Sequence, residues 1–165
     1  MNNCKLCGRK RQKEEKEVLQ MKNIPVVKCQ LVKESSVSAD LEAITSPSAA
    51  AAILSNYLDG ADREHFVVLM LNTKNKPIGI NTVSIGTIDS SLVHPREVFK
   101  PAILANAAGI ILGHNHPSGD TTPSREDVET TKRLVEAGKL LGIQVLDHVI
   151  VSDEGTLSLK ERGHM

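Results

Sequence analysis

IILGHNHPSGDTTPSRED, residues 110–127, is the stretch on which the reading of this chain turns. Overlapping its start, an apolar run from Ala107 to Leu112, interrupted at Gly109, closes on Gly113. A run of about six apolar residues between turn signals predicts a buried strand. Side chains two apart on a strand share a face, so His114 and His116 present two imidazoles side by side where that strand ends. Pro117 to Asp120 read as a turn, with Asp120 ordering it through side-chain to backbone hydrogen bonds. Thr122, Pro123 and Ser124 open a helix whose first turn carries Asp127. A carboxylate arriving there completes a three-ligand site, and two neutral imidazoles plus one carboxylate suit zinc with a fourth position open to water. A water in that position is acidified to a pKa of about 7.

Each of these residues has a plainer reading. A single loop histidine is usually inert and hydrogen-bonded, but two at strand spacing with an acid in reach favour metal. Ser124-x-x-Asp127 is close to a helix capping box. Beside the histidines, Asp127 is read as the third ligand. Asp147-His148, inside the apolar run 145–151, reads as a satisfied buried polar pair. Its functional alternative is to accept the outer N–H of a ligand histidine.

Outward from the motif, Ile24 to Val32 predicts a strand with an early proline. Ser46-Pro47 predicts a capped helix start, and the alanine-rich helix that follows stops at Gly60. Strands are expected over residues 64–71 and 78–85, with a bend at Gly86 and Thr87. Pro95 starts a second helix with Glu97 in its first turn, and Pro101 inside it invites a kink. Val128, Thr131, Leu134, Val135, Gly138 and Leu141 keep helical period up to Gly142. Strands over 145–151 and 156–159 close the chain. The expected order is β-α-β-β-α-β-α-β-β, a mixed sheet flanked by helices in an α/β (α+β layered) domain.

Residues 1–23 form a charged tail whose composition reads as a solvated helix or a flexible segment, and residues 24–165 form the domain. Cys4 and Cys7 make a CxxC, but structural zinc takes four ligands and Cys29 alone remains of the three cysteines. Free thiols are the favoured reading, and an odd count argues against a disulfide framework, which points to a reducing cytoplasm. The first twenty residues lack the apolar core of a signal peptide, and no apolar run is long enough to span a bilayer. Lys plus Arg balance Asp plus Glu at 20 each, for zero net charge, and the aromatic residues are only Tyr57, Phe66 and Phe99. Neither an overall field nor a stacking platform for nucleic acid is therefore expected.

His114-x-His116, seven residues, Ser124, two residues, Asp127 resembles the JAMM (MPN+) metalloprotease motif at every spacing. HNHPSGDTTPSRED, with HPREVFKPA upstream and LLGIQVLDHVIV downstream, resembles the bacterial RadC family in particular. The resemblance implies the MPN fold, related to the cytidine-deaminase architecture, and one Zn2+ per chain held by His114, His116 and Asp127. It assigns Ser124 to the metal-bound water or the oxyanion of a tetrahedral intermediate, and places the general base at a glutamate before an upstream strand, which Glu64 matches. Glu97 is the rival base. The implied activity is hydrolysis of peptide or isopeptide bonds in a peptide or protein substrate. No HExxH is present, nor the deaminase His-x-Glu with Pro-Cys-x-x-Cys. The family's name also suggests a DNA-associated repair factor. Its members often carry a helix-hairpin-helix module, for which residues 1–23 leave no room. A zinc-stabilised interaction domain is a third reading.

Overall fold

The computed structural model describes residues 23–38, 43–86 and 93–165. Residues 1–22 of the charged tail, with Cys4 and Cys7, lie outside the described residues, as does Thr87 of the expected bend. The elements run α1 (Pro47–Leu58), β1 (His65–Leu71), β2 (Pro77–Ile85), α2 (Pro95–Leu104), β3 (Gly109–Asn115), α3 (Arg125–Leu141), β4 (Gln144–Ser152) and β5 (Gly155–Ser158). They build a five-stranded sheet in the order β2-β1-β3-β4-β5. Among the described residues only β3 and β4 pair in parallel, and α3 is the crossover between them; parallel neighbours need such a connection. The other pairs are antiparallel. The expected mixed α/β sheet is the one observed, consistent with a JAB/MPN domain.

β1 reads as an unbroken apolar run because both of its faces are covered. Val67, Leu69 and Leu71 point to α1, where they meet Ala50, Ala51, Leu54 and Leu58. Phe66, Val68 and Met70 point to the other layer, with Val98, Phe99 and Ala102 of α2 and Leu134 of α3. Ile110 and Leu112 of β3 join that second cluster. The same alternation carries on to His114, so the histidines leave the sheet on the α2/α3 side.

Helix starts follow the sequence signals. Ser46 Oγ accepts the Ala49 N–H at 3.3 Å, with Pro47 in the first turn. His94 caps α2, its Nδ1 accepting the Arg96 N–H at 3.3 Å. Pro101 sits inside α2, which continues through it to Leu104. α3 begins with Ser124 as cap and ends at Gly142, whose φ of 69° is the left-handed conformation that glycine adopts without steric penalty.

One expected element is absent. Ile24 to Val32 forms no strand. Ile24, Val26, Val27 and Val32 are exposed there, and the first buried side chain among the described residues is Ile44. An apolar run becomes a strand only when it pairs with an edge, and among the described residues none takes this segment up.

Gly113 lets α1 approach β3: a Cβ there would stand 2.8 and 2.9 Å from the two Leu54 methyls. Gly138 is tighter still, since a Cβ would meet the Ile143 carbonyl at 2.5 Å and Phe99 Cζ at 3.3 Å. That carbonyl belongs to the turn into β4, where the Ile143 N–H returns to Gly138 O at 3.0 Å. Gly→Ala inside an exposed helix normally gains about 1 kcal/mol. Gly138→Ala should instead lose about 1–3 kcal/mol by overpacking. An unchanged or raised urea midpoint would contradict this packing.

Candidate metal centre

β3 ends in the middle of the sheet, with His114 opposite Phe66 on β1 and Ile150 on β4. This makes His114 fully buried. His116 lies one residue past the strand, tied by its N–H to Val151 O at 2.8 Å. The two Nε2 atoms are 2.9 Å apart. Asp127, buried at the start of α3, brings Oδ1 to 3.4 Å from His114 Nε2 and Oδ2 to 3.7 Å from His116 Nε2. Glu64, just before β1, brings Oε1 to 3.9 Å from His116 Nε2. Glu64, His114 and His116 each offer a donor atom, all within 4.8 Å of one another, and form a candidate metal-binding triad. Two carboxylates therefore reach the same histidine pair, one from each side in sequence.

The spacings suit a small divalent ion. Donors about 2.0–2.1 Å from a tetrahedral centre stand about 3.3–3.4 Å apart, within the 2.9–3.7 Å range of the histidine nitrogens and the Asp127 oxygens. His116 is oriented for this role. Its Nδ1 lies 2.6 Å from Asp120 O, and a carbonyl only accepts. The proton sits on Nδ1, and the Nε2 lone pair faces the cluster.

The charges agree. The neighbouring Asp127 carboxylate raises the pKa of His116 against the opposing pull of burial. For Asp127 burial pushes upward, but the adjacent His114 and His116 rings and the Ser124 hydroxyl outweigh it and hold the carboxyl far below its usual range. It is thus ionised, as a metal donor must be. Burial first, then the neighbouring His114, depress His148 well below the ordinary histidine value.

Ser124 and Asp127 do form the reciprocal capping box. The Ser124 hydroxyl and N–H both donate to Asp127 Oδ2, at 2.7 and 2.8 Å, and the Asp127 N–H returns to Ser124 Oγ at 3.1 Å. The cap orients the carboxylate and leaves Oδ1 turned to His114. The structural and functional readings of this pair are two uses of one geometry. Asp120 orders its turn by accepting the Thr122 N–H at 2.8 Å. Glu97 stays on the outside of α2, paired with Lys100 at 2.9 Å.

Of the Asp147-His148 pair, His148 meets the cluster, with Nε2 2.8 Å from His114 Nδ1. Asp147, on the opposite face of β4, accepts from the Ser158 hydroxyl at 2.7 Å. Two further residues have no site role in the sequence analysis. Asn115, between the histidines, accepts the His65 N–H at 2.7 Å and donates to Arg63 O at 2.9 Å. It clamps the chain on both sides of Glu64. Thr131, read from the sequence as one position of the periodic face of α3, touches His148.

A mixed sheet between helices, with His-x-His leaving its central strand and an acid heading the next helix, defines an α/β domain built around a candidate metal centre. Residues 44–164 match the RadC-like JAB domain, and the chain belongs to that family. It is 60% identical over 121 residues to a UPF0758 protein of Caldanaerobacter subterraneus, covering 73% of this chain and 52% of that protein. A UPF0758 protein of Rubrobacter xylanophilus is 59% identical over 120 residues, covering 73% and 52%. One of Bacillus cereus is 55% identical over 122 residues, covering 74% and 54%. The chain spans about half the length of these curated relatives. Among the described residues, no helix is long and apolar enough to cross a membrane.

Asn115→Ala would strip the His65 N–H and the Arg63 carbonyl of their partner. The expected loss is about 1–3 kcal/mol of stability. A denaturation midpoint equal to that of the parent would mean the clamp is not made.

Proposed function

We propose that this domain is a zinc-dependent hydrolase of peptide or isopeptide bonds. The observation that carries the reading is the convergence of His114 Nε2, His116 Nε2 and the ionised Asp127 carboxylate, 2.9–3.7 Å apart, at the end of a buried strand. These three residues would hold the ion. Asp127 is preferred to Glu64 as third ligand because it reaches both histidines and is buried, whereas the Glu64 side chain is 22% exposed. When bound, zinc would supply Lewis acidity, polarising a carbonyl and acidifying water.

The remaining steps belong to the protein. Glu64, at the open side of the cluster, accepts a proton from the attacking water and passes it to the leaving amine. Asn115 sets its backbone opposite the histidines. Ser124 steadies the oxyanion by turning its hydroxyl from Asp127 Oδ2, to which it now donates. A peptide or protein is the substrate class that fits this chemistry. A nucleic-acid partner draws little support from a chain of zero net charge.

The roles separate by experiment. The purified full chain should carry one zinc per chain by metal analysis, and His116→Ala or Asp127→Ala should lose it. Glu64→Gln should keep zinc but abolish cleavage of a peptide library read by mass spectrometry. A metal-loaded Glu64→Gln protein that still cleaves would remove Glu64 as base, and zinc lost from that variant would make it a ligand instead. Ser124→Ala should lower turnover by about 10²–10³ if it serves the oxyanion, beyond the roughly 1 kcal/mol of stability lost with the cap. A stability loss with unchanged turnover would leave Ser124 as a cap alone.

A further inference from the structure

We propose that Thr131 and His148 are positioning residues that fix the proton arrangement of His114, and that they do so from the backbone of Asp127. The proposal rests on the metal reading for its purpose but not for its geometry. Thr131 Oγ1 lies 2.6 Å from Asp127 O and 2.5 Å from His148 Nδ1. His148 Nε2 lies 2.8 Å from His114 Nδ1. Thr131, His148 and His114 are all fully buried, so the three groups must satisfy one another.

The proton order follows from the one member that cannot donate. A carbonyl oxygen only accepts, and two oxygens 2.6 Å apart repel unless a proton lies between them. The hydroxyl proton of Thr131 therefore goes to Asp127 O. Thr131 Oγ1 is left as an acceptor toward His148, which carries its proton on Nδ1. His148 Nε2 is then a bare lone pair and accepts from His114 Nδ1–H. His114 Nε2 is left bare in turn, aimed at His116 Nε2. His116 has been set the same way by Asp120 O. Two lone pairs thus face one 2.9 Å gap beside the Asp127 carboxylate, and a cation there, a proton or a metal ion, relieves the contact.

The relay does for His114 what a carbonyl does directly for His116. His114 is fully buried, and its opposite tautomer would place an N–H where a ligand lone pair is needed. The relay starts on the peptide of Asp127, so it also ties donors on β3 and α3 to one hydrogen-bonded chain. The outer partners of metal-binding histidines act this way, and their loss commonly weakens metal binding about 10–100-fold.

The test is long-range 1H–15N NMR of the histidine rings in the full-length protein, metal-free and with zinc added, together with zinc affinity by chelator competition. His148 should be the Nδ1–H tautomer in both states. Finding its proton on Nε2 overturns the relay. Thr131→Val keeps the shape but removes the hydroxyl, and should weaken zinc about tenfold while the His148 tautomer becomes mixed. Thr131→Ser should recover most of that loss. Zinc held as tightly by Thr131→Val as by the parent overturns the proposal. If the parent binds no zinc, the metal reading falls, and the tautomer of metal-free His148 still decides the relay.

Discussion

Two imidazole nitrogens 2.9 Å apart at the end of a buried strand are the constraint around which this molecule is built. Such an approach is unfavourable for two bare lone pairs, and it is maintained by rigid surroundings. β3 is hydrogen-bonded on both sides, by β1 and β4. Its faces are covered by α1 on one side and by α2 and α3 on the other. His114 has no room to swing away, because Phe66 stacks beside it with ring centroids 6.1 Å apart and His148 closes its far edge. Gly113 matters for the same reason, since it lets Leu54 press on the strand immediately before the first histidine.

The acids are placed by backbone chemistry. Asp127 heads α3 in a capping box whose two Ser124 donors occupy Oδ2 and leave Oδ1 toward His114. A negative charge at a helix N-terminus is also favoured by the helix dipole. Glu64 is placed by Asn115, which holds the peptides before and after it. The histidine strand therefore supplies both the imidazoles and the clamp that sets the second carboxylate opposite them.

Much of this is legible in the chain. The strand-spaced histidines, the Ser124–Asp127 box, the Gly142 stop and the alternating apolar runs each express a local rule, and local rules survive folding. The first strand failed because pairing is not local: Ile24 to Val32 has the composition of a strand, but composition does not supply a partner edge. Asn115 and Thr131 were hidden for a related reason. Asn115 reaches Arg63 and His65 about fifty residues earlier in the chain, and Thr131 reaches His148 across the α3–β4 layer. A polar side chain announces its partner only once the sheet order is known. His148 was visible because it followed Asp147 in an apolar strand, although only the period-two alternation shows which of the two faces the cluster.

X-ray absorption of the zinc-loaded full chain tests the centre most directly, because the protein offers rival thiols at Cys4, Cys7 and Cys29. The account predicts a first shell of nitrogen and oxygen alone at about 2.0–2.1 Å, with imidazole scattering from two rings. Sulfur at about 2.3 Å would place the ion on the cysteines and contradict it.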